Sequence, residues 1–368
     1  MKQTKICLNA MVANESNTIL RMLESCYQYI DYWVIQDNGS TDGTQQIIRD
    51  FFEEKGIDGF LYETEWKFPG YNRDHTLQKC LSSNHGCDWI LRMDADEQLK
   101  VDDDFDWSVF NDTSIDSFNI PVETNDSYYY RTWLWNANRP WYFKHSKRHE
   151  TIHLPDVDED FVRFNLDISF RHIVTNDGQT WTVDNKFITD ALTLELENVP
   201  TKKVLEDDYH LWYIGKSYYD GYWKTEELPF GELHSYEYAR RAIFYFEMYL
   251  KKVHGENPHW DEMAYYACLL LGRLYAFLGE PYDGLQKWEE AEKYCQGRNE
   301  HLIDLANYYR DNGFWEQMLE VCTKIMKNKN PFPNSTFFID NQSYPDTCLL
   351  YTSPSPRDLS TSRMPSSA

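Results

Sequence analysis

Long apolar runs are missing from the 368 residues, and no stretch approaches the roughly 18–20 apolar residues that a membrane-spanning helix needs. The opening MKQTKICLNAMVANES has no apolar core of a secretory leader and reads as a first strand. Positive charge is scarce. Lys and Arg number 36 against 60 Asp and Glu, a formal charge of -24. That field repels phosphate backbones and anionic lipid, which argues against nucleic acid and acidic membranes as partners. Closely paired cysteines are absent as well. The eight cysteines contain no CxxC, which suits free thiols in a reducing compartment. The nearest pair, Cys80 and Cys87, would hold a metal only with partners that spacing does not reveal. What is plentiful is core material: 42% of residues are apolar and 16% aromatic, enough for one large or two ordinary cores. The expectation is a soluble, acidic, cytoplasmic protein.

The last stretch is set aside before any fold reasoning. From Cys348 the chain reads CLLYTSPSPRD, then Leu359-Ser360-Thr361, then SRMPSSA. It resembles a translated sequencing adapter, with the variable triplet where a sample barcode falls, and such scars carry no fold information. A Ser/Pro-rich disordered tail has the same composition.

The first hundred residues alternate strand and helix. Residues 5–11 form a mostly apolar run, as in a strand buried on both faces. Ile19, Leu20, Met22, Leu23, Cys26, Tyr27 and Ile30 follow at helical spacing, behind Asn17 or Thr18 as a cap. Further strands are expected at 32–36, Gly59–Glu63 and 89–93, with helices carrying Ile47, Ile48, Phe51 and Phe52 and covering 72–81. This alternation predicts an α/β fold with a mainly parallel, doubly wound sheet, whose ligands bind beyond the carboxyl ends of the strands. Asp37 and Asp94-Ala95-Asp96-Glu97 lie at such ends. Between 105 and 170 the pattern loosens and aromatics crowd into SYYYRTWLWNANRPWYF, suited to stacking on sugar rings or to a packed core. After residue 185 the chain turns helical. There Gly272 aligns with Ala306, Tyr275 with Tyr309 and Gly279 with Gly313, each pair 34 residues apart, the period of tetratricopeptide-type hairpins. Residues 213–219 read as a degenerate earlier unit displaced by an insertion at 226–237. The expected domains are 1–190 for the sheet and 191–347 for the helices. So short an array is expected to pack on the sheet domain.

Three carboxylates within Asp94–Glu97 repel one another unless a cation neutralises them, and Mg2+ or Mn2+ takes one or two carboxylates plus substrate phosphates. Acidic residues at a helix N-terminus explain the cluster equally well. In Asp37-Asn38-Gly39-Ser40-Thr41-Asp42, a strand-end carboxylate can accept hydrogen bonds from a base or ribose, while Ser40 or Thr41 caps the next helix. His149-Glu150-Thr151-Ile152-His153 matches the letters HExxH. That zinc motif works only on a helix, and Thr151, Ile152 and Pro155 disfavour one here.

Four segments, ICLNAMVANE, VIQDNGSTDGT, Asn72-Arg73 after Phe68, and DWILRMDADE, together resemble family 2 glycosyltransferases of the GT-A fold, in that family's order over about residues 3–100. Weaker likeness runs through Arg148-His149-Glu150 and 168–172, and the helical part resembles the repeat-containing branch. The resemblance implies a metal-dependent, inverting transferase using a nucleotide-sugar donor, a uridine one, and a hydroxyl acceptor. It places Asn14, Glu15, Asp37, Arg73 and Asp94 at the nucleotide-sugar, with Asp94 near the ribose, and Asp96 on the metal. His172 resembles a later metal or diphosphate ligand, although a lone His also serves structurally. Lys186 can screen diphosphate charge or sit in solvent. Ala13 departs from the Lys or Arg usual before Asn-Glu. For the catalytic base Glu150 fits an acidic position of related sequences, with Asp156, Asp158, Glu159, Asp160, Glu123 and Asp126 as alternatives. The rival reading is a non-catalytic binding or scaffold protein whose helical region recruits a protein partner. A nucleotidyltransferase would want a Gly-rich basic loop after the first strand, and MVANES is not one.

Overall fold

The computed structural model describes residues 4–83, 85–123, 127–144, 148, 150–155, 161–175, 177, 186–198, 208–225, 231–253, 261–328 and 339–340. His149, Asp126, the acids at 156–160 and the tail 348–368 lie outside them. The chain divides into two compact units, Met1–Ser217 and Tyr218–Ala368.

In the first unit β1 (Ile6–Val12) is buried along nearly its whole length, because helices cover one face and the other faces the core. The helix α1 (Ile19–Cys26) buries Ile19, Met22, Leu23 and Cys26, a stripe at helical spacing. Then come β2 (Tyr32–Asp37), α2 (Thr44–Lys55), β3 (Gly59–Glu63), α3 (Pro69–Ser82) and β4 (Trp89–Arg92). Gly56, at φ 65°, ends α2 by donating its N–H to the Phe52 carbonyl, a left-handed turn that glycine adopts without cost. Pro69 begins α3, where its missing N–H is not needed. These elements fall where the sequence pattern puts them.

The sheet runs β3-β2-β1-β4 with all pairs parallel. Beyond β4 antiparallel pairs join the parallel framework that the sequence pattern predicts. The further strands are β5 (Glu97–Val101), β6 (Ser117–Glu123), β7 (Ser127–Asn136), β10 (Arg163–Asn165) and β11 (Phe170–Val174), while β8 (Tyr142–Phe143) and β9 (Ile152–His153) pair separately. β4 pairs antiparallel with β7, β7 antiparallel with β6, β6 parallel with β11, and β11 antiparallel with β5. The result is one mixed sheet. The aromatic run is β7 and its continuation, and Trp133, Trp135, Trp141 and Phe143 are buried in the core. His153 belongs to the extended β9, so HExxH has no helix to bring its histidines together.

The division between units falls inside α5 (Asp208–Thr225) and not near 190, so α4 (Lys186–Asn198) and the start of α5 belong with the sheet. The segment expected as an insertion is helical from Gly231, in α6 (Gly231–Val253). The second unit continues with α7 (Asp261–Phe277), α8 (Pro281–Tyr294), α9 (Glu300–Asp311) and α10 (Trp315–Lys327). Its hairpins turn alike. Gly279 and Gly313 both sit at φ 75°. At the first turn Gly279 N–H donates to Ala276 O and Glu280 N–H to Tyr275 O; at the second Gly313 donates to Arg310 O and Phe314 to Tyr309 O. This is the same Schellman cap twice, at the interval the sequence displays. Leu269, Trp288, Leu302, Leu305, Val321 and Ile325 form the core between the hairpins.

Candidate active site

The parallel strands end together, and their carboxyl ends carry the site. Asp37 closes β2 and is fully buried. Its Oδ1 accepts the Gly39 and Ser40 amides at 3.0 and 2.9 Å and the Gln45 amide at 2.8 Å. Its Oδ2 is buried and accepts nothing. One oxygen therefore shapes the loop, and a desolvated carboxylate oxygen is left for a donor from elsewhere, a costly arrangement unless something fills it.

The neighbouring loops are latched. Asn14, at φ 55°, receives the Thr41 amide on its side-chain oxygen at 2.8 Å and donates its own N–H to Ser40 Oγ at 2.8 Å. Glu15 N–H reaches Thr44 Oγ1 at 2.8 Å, and its carboxylate accepts Thr18 Oγ1 at 2.7 Å. Asp42 accepts Ser16 N–H at 2.9 Å, and although burial opposes its charge, bonds from Thr44 and Ser16 hold its carboxyl far below the ordinary range. Asn14 and Glu15 thus fix the loop that bears Asp37.

Asp94 follows β4 and meets two arginines. Arg73 on α3 reaches its two oxygens at 3.0 and 3.4 Å, and Arg92 reaches them at 3.2 and 3.3 Å. Arg73 also forms an ion pair through Nε with Glu150. Burial disfavours the charge of Arg73, yet Asp94 and Glu150 raise its pKa above the ordinary value. One guanidinium therefore joins Asp94 and Glu150, the candidate base. Behind them, buried Glu97 accepts the Asp94 amide at 3.0 Å and Arg131 Nη1 at 2.9 Å. Arg131 also donates to the Tyr129 hydroxyl. Trp133 lies under both cations, with the Arg92 and Arg131 guanidinium carbons 4.0 and 4.3 Å from its ring centre. Tyr213 of α5 feels the charges of Arg131 and Glu150, and burial raises its hydroxyl pKa. Sequence reasoning did not single out Arg92, Arg131 or Trp133. Their one signal was position, beside the acidic motif and inside the aromatic run.

The remaining candidates scatter more widely. His172 is fully buried on β11, 3.4 Å from Glu97 Oε2, and neither ring nitrogen makes a hydrogen bond. Asp96 is half-buried, with its carbonyl bonded by Thr175 and its charge felt by Arg21. Imidazole and carboxylate are groups that a divalent cation accepts, and a diphosphate-bound ion needs few protein ligands. Lys186 opens α4, with its ammonium 5.5 Å from the Phe187 ring centre. Glu123 is taken by Arg171 at 2.7 Å.

Residues 11–105 match the model of glycosyl transferase family 2. That span, which contains Asp37, Arg73, Asp94 and Asp96, is thus similar to that family. Among solved structures the chain is similar to S. aureus TarS 1–349 in complex with UDP-GlcNAc, at 12% identity, covering 79% of this chain and 91% of that one, with a TM-score of 0.40. The same fragment in complex with UDP gives 12% identity, coverages of 84% and 92%, and a TM-score of 0.34. No curated protein sequence matches the chain. Among the described residues no helix is long and apolar enough to cross a membrane.

Proposed function

We propose that the chain transfers a sugar from a uridine diphosphate donor to a hydroxyl acceptor with inversion, in a reducing, cytoplasmic setting. The observation that carries this is the Arg73 bridge, which gathers Asp94 and Glu150 at the carboxyl ends of the parallel strands. Asp37 offers its unbonded Oδ2 to an N–H of the base or a ribose hydroxyl. Asp94 orients the ribose, and Arg73 and Lys186 offset diphosphate charge. Arg73 engages Oε1 of Glu150, which leaves Oε2 to take the acceptor proton. A divalent cation, Mg2+ or Mn2+, would be held by Asp96 with His172 and would stabilise the leaving diphosphate. We read α7–α10 as tetratricopeptide-like on the strength of the repeated turn, a framework suited to a protein partner.

Calorimetry with UDP, with and without Mn2+, tests this directly. Asp37→Ala should weaken UDP binding in both conditions, while Asp96→Asn should remove only the metal-dependent part. If no uridine nucleotide or nucleotide-sugar binds in either condition, the scaffold reading replaces the transferase.

A further inference from the structure

The start of β1 lies at the opposite end of the strands from Asp37 and Asp94, and there the fold gathers thiols. Cys7 points from β1 to Cys80 on α3, with Sγ atoms 3.3 Å apart. His85 brings Nε2 to 3.8 Å from Cys80 Sγ. The donor atoms of Cys7, Cys80 and His85 all lie within 4.8 Å of one another, the one such cluster of three or more among the described residues. Cys87 follows in the turn into β4, its thiol donating to the His85 carbonyl at 3.9 Å. Gly86, at φ 61°, makes that turn tight enough to aim both its neighbours inward.

We propose that Cys7, Cys80, Cys87 and His85 form a structural zinc site. Sulfur and imidazole are the donors that Zn2+ prefers, and four protein ligands define a closed, non-catalytic site. The spacing agrees. Zn–S bonds of about 2.3 Å put tetrahedral neighbours roughly 3.8 Å apart, close to the 3.3 and 3.8 Å found here. Cys7 and Cys80 are fully buried and Cys87 nearly so, so the site is shielded from competing water. Each ligating thiol releases its proton to solvent. Cys87 N–H currently donates to His85 Nδ1 at 3.0 Å. Ligation through Nε2 needs the ring proton on Nδ1, so the His85–Gly86–Cys87 turn must open slightly on loading. The ion would tie β1, α3 and the entry to β4 together.

Cobalt(II) is the probe. The full-length chain, purified and kept reduced with a phosphine, should bind one equivalent and develop a thiolate-to-cobalt charge-transfer band with intense tetrahedral d–d bands. Zn2+ should displace it, and EDTA should lower the Tm of the zinc-loaded protein. Cys80→Ser should weaken the charge-transfer band, while Cys295→Ser, at the end of α8, should leave the spectrum unchanged. Should Cys80→Ser fail to fold, His85→Gln on the half-exposed turn serves instead; it should alter the d–d envelope and weaken Co2+ by roughly tenfold or more. A folded, reduced protein that takes up no Co2+ overturns the proposal, as does a spectrum that neither variant alters.

Discussion

Arg73 touches two carboxylates, and under the proposed reaction the loss of each has a different effect. Glu150→Gln keeps the size and hydrogen-bonding capacity of the residue but cannot take the acceptor proton. Transfer should fall by about a hundred- to ten-thousandfold, the usual cost of a missing general base. UDP affinity should hardly move, because Asp37, Asp94 and Asp96 are untouched. Normal turnover in Glu150→Gln would relocate the base and leave the family intact. His153 supplies a second residue-scale test, through pH. Burial first, then the charges of Lys144 and Arg163, push its pKa down from 6.5 to about 4. As pH falls, the unfolded chain takes up this proton before the folded one does. The contribution of His153 is therefore complete above about pH 6.5 and is lost as pH drops towards 4. His153→Gln should flatten that part of the pH profile of the urea midpoint. An unchanged profile would show that the neutral ring is not favoured by the fold.

Among the helices, two kinds of glycine do different work. Gly313 provides a backbone conformation, at φ 75° with open space where a side chain would be. Gly272 provides room, since a Cβ there would run into the Trp288 indole, and a Cβ on Gly284 would come within 2.9 Å of the Gly272 carbonyl. Gly313→Ala should cost about 1–2 kcal/mol, the left-handed penalty for an L-residue. Gly272→Ala overpacks a close crossing of α7 and α8 and should cost about 1–3 kcal/mol by moving Trp288, whose Nε1 now reaches Leu269 O at 3.3 Å. Urea unfolding gives both energies. Near-ultraviolet circular dichroism tells them apart, because only Gly272→Ala should change the tryptophan signal. Equal spectra for the two variants would refute the close-crossing account.

Over the whole molecule, the parallel strands and the candidate site at their ends were legible for one reason. A strand buried on both faces reads as an unbroken apolar run, and the acidic residue that ends the run is conspicuous. The mixed half was opaque. β8, β9 and β10 are only two or three residues long, and β5 finds β11 through distant register and not through local pattern. Arg92 and Arg131 stayed hidden because an arginine on a strand looks like a solvent-facing charge until the sheet places it over Trp133. The thiol cluster escaped for the same reason, since Cys7 meets Cys80 only after β1 and α3 pack.

The position of β4 between β1 and β7 has a consequence for how the chain acquires its structure. β1 and β2 are joined by a short crossover, and β6 and β7 are consecutive antiparallel neighbours, so both pairs can form from nearby sequence. β4 must meet β1 across a long loop, as the Lys5 amide meets Asp88 across 83 residues, and β7 on its other edge. Closing such loops is slow. Pulse-labelled hydrogen exchange during refolding should protect amides of β2, β6 and β7 before those of β4, and the reverse order would refute this. Asp94 hangs from the end of β4, so the nucleotide binding proposed above should be the last property to return, and a nearly folded chain should still be inert.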